Sequence, residues 1–97
     1  MMTEEQVVCL DAMQSWGFMG NFGMLAEETG EMLSAINKLI RGRVERKDVI
    51  TELADVSLVI TAFAMELGYS DFQEEKKKKL LRLKERLEEW HKNNDEL

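Results

Sequence analysis

Apolar residues recur at helical spacing along most of the chain, and the sequence contains no proline. Leu25, Met32, Ile36 and Leu39 follow one another at intervals typical of one face of an α-helix. The stretch from residue 56 to residue 65 is apolar nearly all round, which predicts a central, buried helix. The pattern predicts an all-α protein, arranged as a four-helix antiparallel bundle.

Capping residues and glycines predict where these helices begin and end. Thr3 and Gln6 form a capping box for a first helix that ends near Trp16. A short turn of residues 17–21 follows, and Asn21 caps the second helix. Ser70 and Gln73 form a second capping box. The second helix is predicted to end at about residue 40. The third begins between residues 45 and 48 and ends at residue 67, and the fourth spans about residues 71–93.

The last predicted helix carries a short apolar seam at Leu80, Leu83, Leu87 and Trp90. These residues are spaced three, four and three apart, as in a coiled coil. The seam is suited either to packing within the chain or to a dimer interface.

Length and composition limit the classes of protein. A chain of 97 residues predicts one domain, residues 1–97, and one so small gains from a partner subunit, so we expect a homodimer or homotetramer. A net charge of −6 argues against a general nucleic-acid binder or a binder of anionic membranes. The single cysteine, Cys9, allows no internal disulfide, and neither a secretory signal nor a membrane span is evident. We therefore expect a cytoplasmic protein.

Two pairs of acids stand out from the general negative charge. Glu28 with Glu31 and Glu52 with Asp55 are each spaced three apart, so each pair points its carboxylates to one side of a helix. If the two helices pack through these faces, a charge of about −4 converges and needs cations, for which Mg²⁺ is well suited. Solvated surface acids are the simpler interpretation, but the positions of these acids beside the apolar faces argue against it.

The motif Glu27-Glu28-x-x-Glu31, a spacer of twenty residues and then Glu52-x-x-Asp55 resembles the signature of the MazG-like, all-α nucleoside triphosphate pyrophosphohydrolases. The resemblance covers roughly residues 10–85. It implies Mg²⁺-dependent hydrolysis of an NTP or dNTP to the monophosphate and pyrophosphate, with Mn²⁺ as a possible substitute ion.

The resemblance also suggests roles for the acids. Glu28, Glu31, Glu52 and Asp55 are the expected metal ligands, and all four are expected catalytic residues. Glu27 is a candidate general base or ligand of a further metal, although contact with a metal ligand or with a metal-bound water, or a solvated surface position, fits equally well.

Four further residues are candidates for binding the substrate. Trp16 could stack on a nucleobase, with packing against a neighbouring helix as the alternative. Lys38 lies two turns beyond Glu31 on the same side of the predicted helix, so it could reach a phosphate or pair with a neighbouring acid. Lys79 and Arg86 fit a basic pattern that the family carries in its last helix, but Leu83 stands where that pattern has asparagine.

Three other interpretations compete with this one. A di-iron carboxylate bundle needs two Glu-x-x-His motifs, and the only histidine is His91, far along the sequence from the acids. The same fold could act on another nucleotide, such as dUTP, dCTP or phosphoribosyl-ATP. A non-catalytic helical protein could use the seam to bind partners.

Overall fold

The structure is a computed structural model that describes residues 1–95, and within them the chain forms three α-helices. These are α1 (Glu4–Ile40), α2 (Arg46–Leu67) and α3 (Tyr69–Asn94). The all-α class predicted from the sequence is confirmed. The chain divides into two compact units, an N-terminal unit of Met1–Leu67 and a C-terminal unit from Gly68 onwards, which are described separately.

The start of α1 follows the predicted capping box. The backbone N–H of Gln6 donates to Thr3 Oγ1 at 3.1 Å, and the backbone N–H of Thr3 donates to Gln6 Oε1 at 2.8 Å. Two N–H groups that the first turn leaves without a helical partner are satisfied in this way.

The predicted break after Trp16 is present as a sharp kink inside α1. Gly17 has φ 78° and ψ 172°, a conformation that is essentially restricted to glycine. Regular helix resumes directly after it, so the predicted turn of residues 17–21 shortens to a single residue. The kink divides α1 into segments of residues 4–16 and 18–40.

Asn21 has a different role from the one predicted. It lies inside α1 and is fully buried, so the prediction that it caps a helix is wrong. Its Nδ2 donates to the carbonyl oxygens of Gly17 at 2.7 Å and Ala12 at 3.3 Å. Nine residues of straight helix would span about 13.5 Å, so the bond to Ala12 shows that the two segments fold against each other at the kink.

Contacts with α2 give the direction of each segment. Phe18 meets Phe63 edge to face, with ring centroids 4.9 Å apart, and Glu28 meets Glu52, so residues 18–40 run antiparallel to α2. Cys9 donates to the Leu58 carbonyl at 3.4 Å. Cys9 and Met13 also pack with Ala62, which makes residues 4–16 parallel to α2. Because this core is small, many large apolar side chains stay exposed.

Glycines end α1 and α2 as predicted. Gly42 has φ 69° and its N–H donates to the Leu39 carbonyl at 3.0 Å, which closes the last turn of α1. Gly68, with φ 133°, follows the end of α2 at Leu67.

The predicted start of the last helix is wrong by two residues. α3 begins at Tyr69 behind Gly68, without a side-chain cap, so Ser70 and Gln73 do not form a capping box. Gln73 Nε2 donates instead to Tyr69 Oη at 2.7 Å. All the seam residues of α3 are exposed. Within residues 1–95, no helix combines the length and the apolar character needed to cross a membrane.

Candidate functional site

Three acids meet where the second segment of α1 lies against α2. One carboxylate oxygen from each of Glu28, Glu31 and Glu52 lies within 4.8 Å of the others. Glu28 and Glu52 are half-buried, while Glu31 is exposed. The spacing of three residues brings the two α1 acids to one side of the helix, and the antiparallel packing places Glu52 opposite them. We call Glu28, Glu31 and Glu52 the acid cluster.

The two half-buried carboxylates of the acid cluster lack hydrogen-bond partners for one oxygen each and are repelled by neighbouring acids. Oε2 of Glu28 and Oε2 of Glu52 are both buried without a hydrogen-bond partner. Burial raises the pKa of Glu28, and the charges of Glu31, Asp55, Glu52 and Glu27 raise it further. Burial also raises the pKa of Glu52, with added repulsion from Glu31 and Asp55. Both shifts mean that folding brings negative charges together at a cost.

Asp55, the fourth predicted ligand, lies near the acid cluster but outside its group of three oxygens. It is half-buried on α2, and its charge raises the pKa of both Glu28 and Glu52, so it lies close enough to act on the cluster. Its carboxylate is not part of the group of three oxygens within 4.8 Å. The structure thus brings together three of the four predicted ligands and leaves Asp55 beside them.

The donor set of the acid cluster fits a divalent cation. Mg²⁺ and Mn²⁺ prefer carboxylate oxygens, and buried carboxylate oxygens without hydrogen-bond donors are ready to accept a cation. Neighbouring side chains do not supply the missing charge, since the ion pairs found within residues 1–95 join Lys47 to Glu45, Lys77 to Glu74 and Lys78 to Glu75. A bound cation would remove both the repulsion and the unpartnered oxygens.

An open cleft of about 620 Å³ begins at the acid cluster. Glu31 and Glu52 line it together with Glu27 and Lys38, so Lys38 lies on the side predicted from its spacing. Asp48, which is not among the predicted site residues, also lines the cleft. Its position one helical turn before Glu52 was the available signal. The cleft thus combines four acids, Glu27, Glu31, Asp48 and Glu52, with a single lysine.

The other predicted substrate-binding residues are not among those that line this cleft. Trp16 is exposed and lines a second, apolar cleft of about 510 Å³, which it shares with Asn21 but not with Lys38. Lys79 and Arg86 are exposed residues of α3 in the C-terminal unit. For these three residues, a role in binding a nucleotide stays a prediction.

Comparison with protein-family models, curated proteins and solved structures gives no match to this chain.

Proposed function

We propose that this protein is a Mg²⁺-dependent nucleoside triphosphate pyrophosphohydrolase, which converts an NTP or dNTP to the monophosphate and pyrophosphate. The observation that carries the proposal is the convergence of Glu28, Glu31 and Glu52, with two buried carboxylate oxygens that have no partner. The resemblance of the acid motif to the MazG-like enzymes supplies the reaction class.

In this proposal the acids hold the metal and the cleft holds the triphosphate. Glu28, Glu31 and Glu52 would bind Mg²⁺, or Mn²⁺ in its place, and Asp55 would complete the ligand set from α2. When bound, the metal supplies charge neutralisation at the phosphates and activation of water. The helices supply orientation, because both pairs of acids project from regular, packed segments.

Lys38 and Glu27 would act on the substrate from the wall of the same cleft. The ammonium group of Lys38 would attract the phosphates and offset the negative charge that repels them. Glu27 is exposed and next to Glu28, so its carboxylate could accept the proton of the water that attacks the α-phosphorus. The bond from that phosphorus to the bridging oxygen breaks, and pyrophosphate leaves.

The cellular setting is part of the proposal. We expect a cytoplasmic homodimer or homotetramer without affinity for nucleic acid or membranes, in which an antiparallel four-helix arrangement encloses the acid helices. The net charge of −6 supports the lack of nucleic-acid binding. The many exposed large apolar residues of the N-terminal unit support oligomerisation.

The test is pyrophosphate release from a panel of canonical and modified NTPs and dNTPs, including dUTP and dCTP, with Mg²⁺ or with a chelator. The parent is compared with Glu28→Gln and Asp55→Asn, and with Glu66→Gln, which alters an exposed acid of α2 outside the cluster. We expect metal-dependent turnover that Glu28→Gln and Asp55→Asn lose and Glu66→Gln keeps. Circular dichroism confirms that the variants are folded.

The panel also separates the proposal from its competitors. Activity confined to dUTP, to dCTP or, in a separate reaction, to phosphoribosyl-ATP would support the proposed metal site but assign it a different substrate. Absence of turnover on every nucleotide, together with absence of Mg²⁺ binding, would refute the enzyme and favour a helical interaction protein.

A further inference from the structure

The apolar cleft that contains Trp16 is an elongated groove on the N-terminal unit. Its floor includes Cys9 and Ala62, which are 5% and 2% exposed, whereas Val8 and Trp16 are 59% and 62% exposed. Both segments of α1 and the middle of α2 line it. Three helical segments side by side offer such a groove to a fourth helix, as in a four-helix bundle.

The seam of α3 is an apolar surface of matching size. Leu80, Leu83, Leu87 and Trp90 have exposed fractions of 67%, 52%, 49% and 57%. Ten residues of helix separate the first and last of them, a length of about 15 Å. The α1 side of the groove runs from Glu4 to Trp16, about 18 Å. The seam therefore fits the length of the groove.

Charge decides what the α3 seam can pair with. On the helical wheel, Lys77 and Lys84 flank the seam on one side, and Lys79 and Arg86 flank it on the other. Two α3 helices that met seam to seam would bring these positive flanks together. The seam thus selects against a second α3 and in favour of an apolar surface with acidic surroundings.

The N-terminal unit provides that acidic surface. Its 67 residues contain eleven acidic and five basic side chains, whereas α3 contains six acidic and eight basic ones. Two of the acids, Glu4 and Glu5, line one end of the groove. A helix with positive flanks is therefore attracted to this end of the groove in particular.

We infer that α3 of a second copy of this chain occupies the groove, with each copy giving its α3 to the other. The lysine-rich start of α3 lies near Glu4 and Glu5, so the incoming helix runs parallel to residues 4–16 and to α2 of its host. This direction differs from that of the fourth helix in an antiparallel bundle. The exchange is reciprocal and closes as a two-fold dimer with two identical helix-in-groove contacts. This inference concerns the assembly and does not depend on the catalytic proposal. It also gives Trp16 a packing role at the dimer interface in place of a nucleobase contact.

Disulfide trapping tests the contact and its intermolecular nature. Both chains carry Cys9→Ser, so that neither has a native thiol. A chain with Val8→Cys is mixed with a chain with Leu80→Cys and oxidised, and the expected product is a covalent dimer of the two. The matched control replaces Leu80→Cys by Glu85→Cys, on the opposite face of α3, and should give little dimer. A doubly substituted chain, Val8→Cys with Leu80→Cys, that yields only internally linked monomers would overturn the exchange between copies.

Sedimentation of charge variants gives a second, independent test that leaves the apolar contacts intact. Lys77→Glu with Lys84→Glu should weaken the dimer roughly tenfold, since a few rim charges together contribute about 1.4 kcal/mol. Adding Glu4→Lys and Glu5→Lys should restore much of the affinity. Reversal of Lys78 and Lys92, on the other face of α3, should have little effect. The inference would be refuted by a parent protein that stays monomeric. It would also be refuted if Glu4→Lys with Glu5→Lys did not restore the dimer affinity that Lys77→Glu with Lys84→Glu had lowered.

Discussion

Binding of Mg²⁺ should stabilise the folded protein, and Glu28→Gln should remove most of this effect. Glu28 is a half-buried member of the acid cluster, and one of its oxygens has no hydrogen-bond partner. Its raised pKa reports burial and repulsion by neighbouring acids. A cation bound only by the folded state would cancel that repulsion and shift the folding equilibrium.

The size of the effect follows from linkage. Free Mg²⁺ at one hundred times its Kd stabilises the folded state by about 2.7 kcal/mol. For a chain of this length each kcal/mol raises Tm by roughly 4–8 °C, so we expect a rise of about 10–20 °C. If loss of one of the three cluster carboxylates weakens binding about a hundredfold, the stabilisation at the same Mg²⁺ concentration falls to roughly 0.4 kcal/mol.

Thermal unfolding followed by circular dichroism, with Mg²⁺ or with EDTA at pH 7, measures this. In EDTA, Glu28→Gln should melt above the parent, because the substitution removes a charge that opposes folding. In Mg²⁺ the parent should instead melt above Glu28→Gln. The matched control, Glu66→Gln, should keep the full rise of the parent. Equal rises in the parent and in Glu28→Gln would refute the assignment of the metal to the acid cluster.

Three further outcomes follow from the same structure. Without metal, the free energy of unfolding should fall as pH rises from the ordinary carboxyl pKa of 4.5 through the raised pKa values of Glu28 and Glu52, because over this range the folded state binds more protons than the unfolded state. Urea titrations in EDTA that show stability rising over this pH range would contradict it. Gly17→Ala should destabilise by about 1–3 kcal/mol through backbone strain alone, since nothing lies within 4 Å of its added Cβ. Gly23→Ala, an equally open position in regular helix, should instead stabilise by up to about 1 kcal/mol, and equal effects in urea unfolding would disprove the strain. Lys38→Met should raise KM for the nucleotide more than it lowers kcat, whereas Lys47→Met, outside the cleft, should change neither, and an unchanged KM in Lys38→Met would remove this residue from the site.

Two of the predicted helix caps are absent from the structure. Asn21 and Ser70 both belong to residue types that commonly cap helices, and neither acts as a cap here. At Asn21, the kink frees carbonyl groups that a buried amide can reach from within the helix. Local spacing cannot reveal such partners, because Ala12 comes close only after the two segments fold together.

Part of the candidate site could be predicted from the sequence, and part depends on how the helices pack. Helical spacing was enough to group Glu28 with Glu31 and Glu52 with Asp55, and to place Lys38 on the side of Glu31. The position of one helix along the other could not be predicted from the spacing of residues within each helix. Their packing brings Glu52 to the α1 acids, leaves Asp55 outside the closest group and adds Asp48 to the cleft.

The sequence alone determined the helical class, the glycine ends of α1 and α2, and the direction of each acid pair, because these depend on backbone preferences and on the fixed rotation per residue. The tertiary structure alone decided that three carboxylates converge, that two of their oxygens are buried without partners, and that the N-terminal unit carries an open apolar groove. Distances between helices and the burial of polar atoms depend on how side chains pack between segments. Patterns over a few neighbouring residues do not determine this packing.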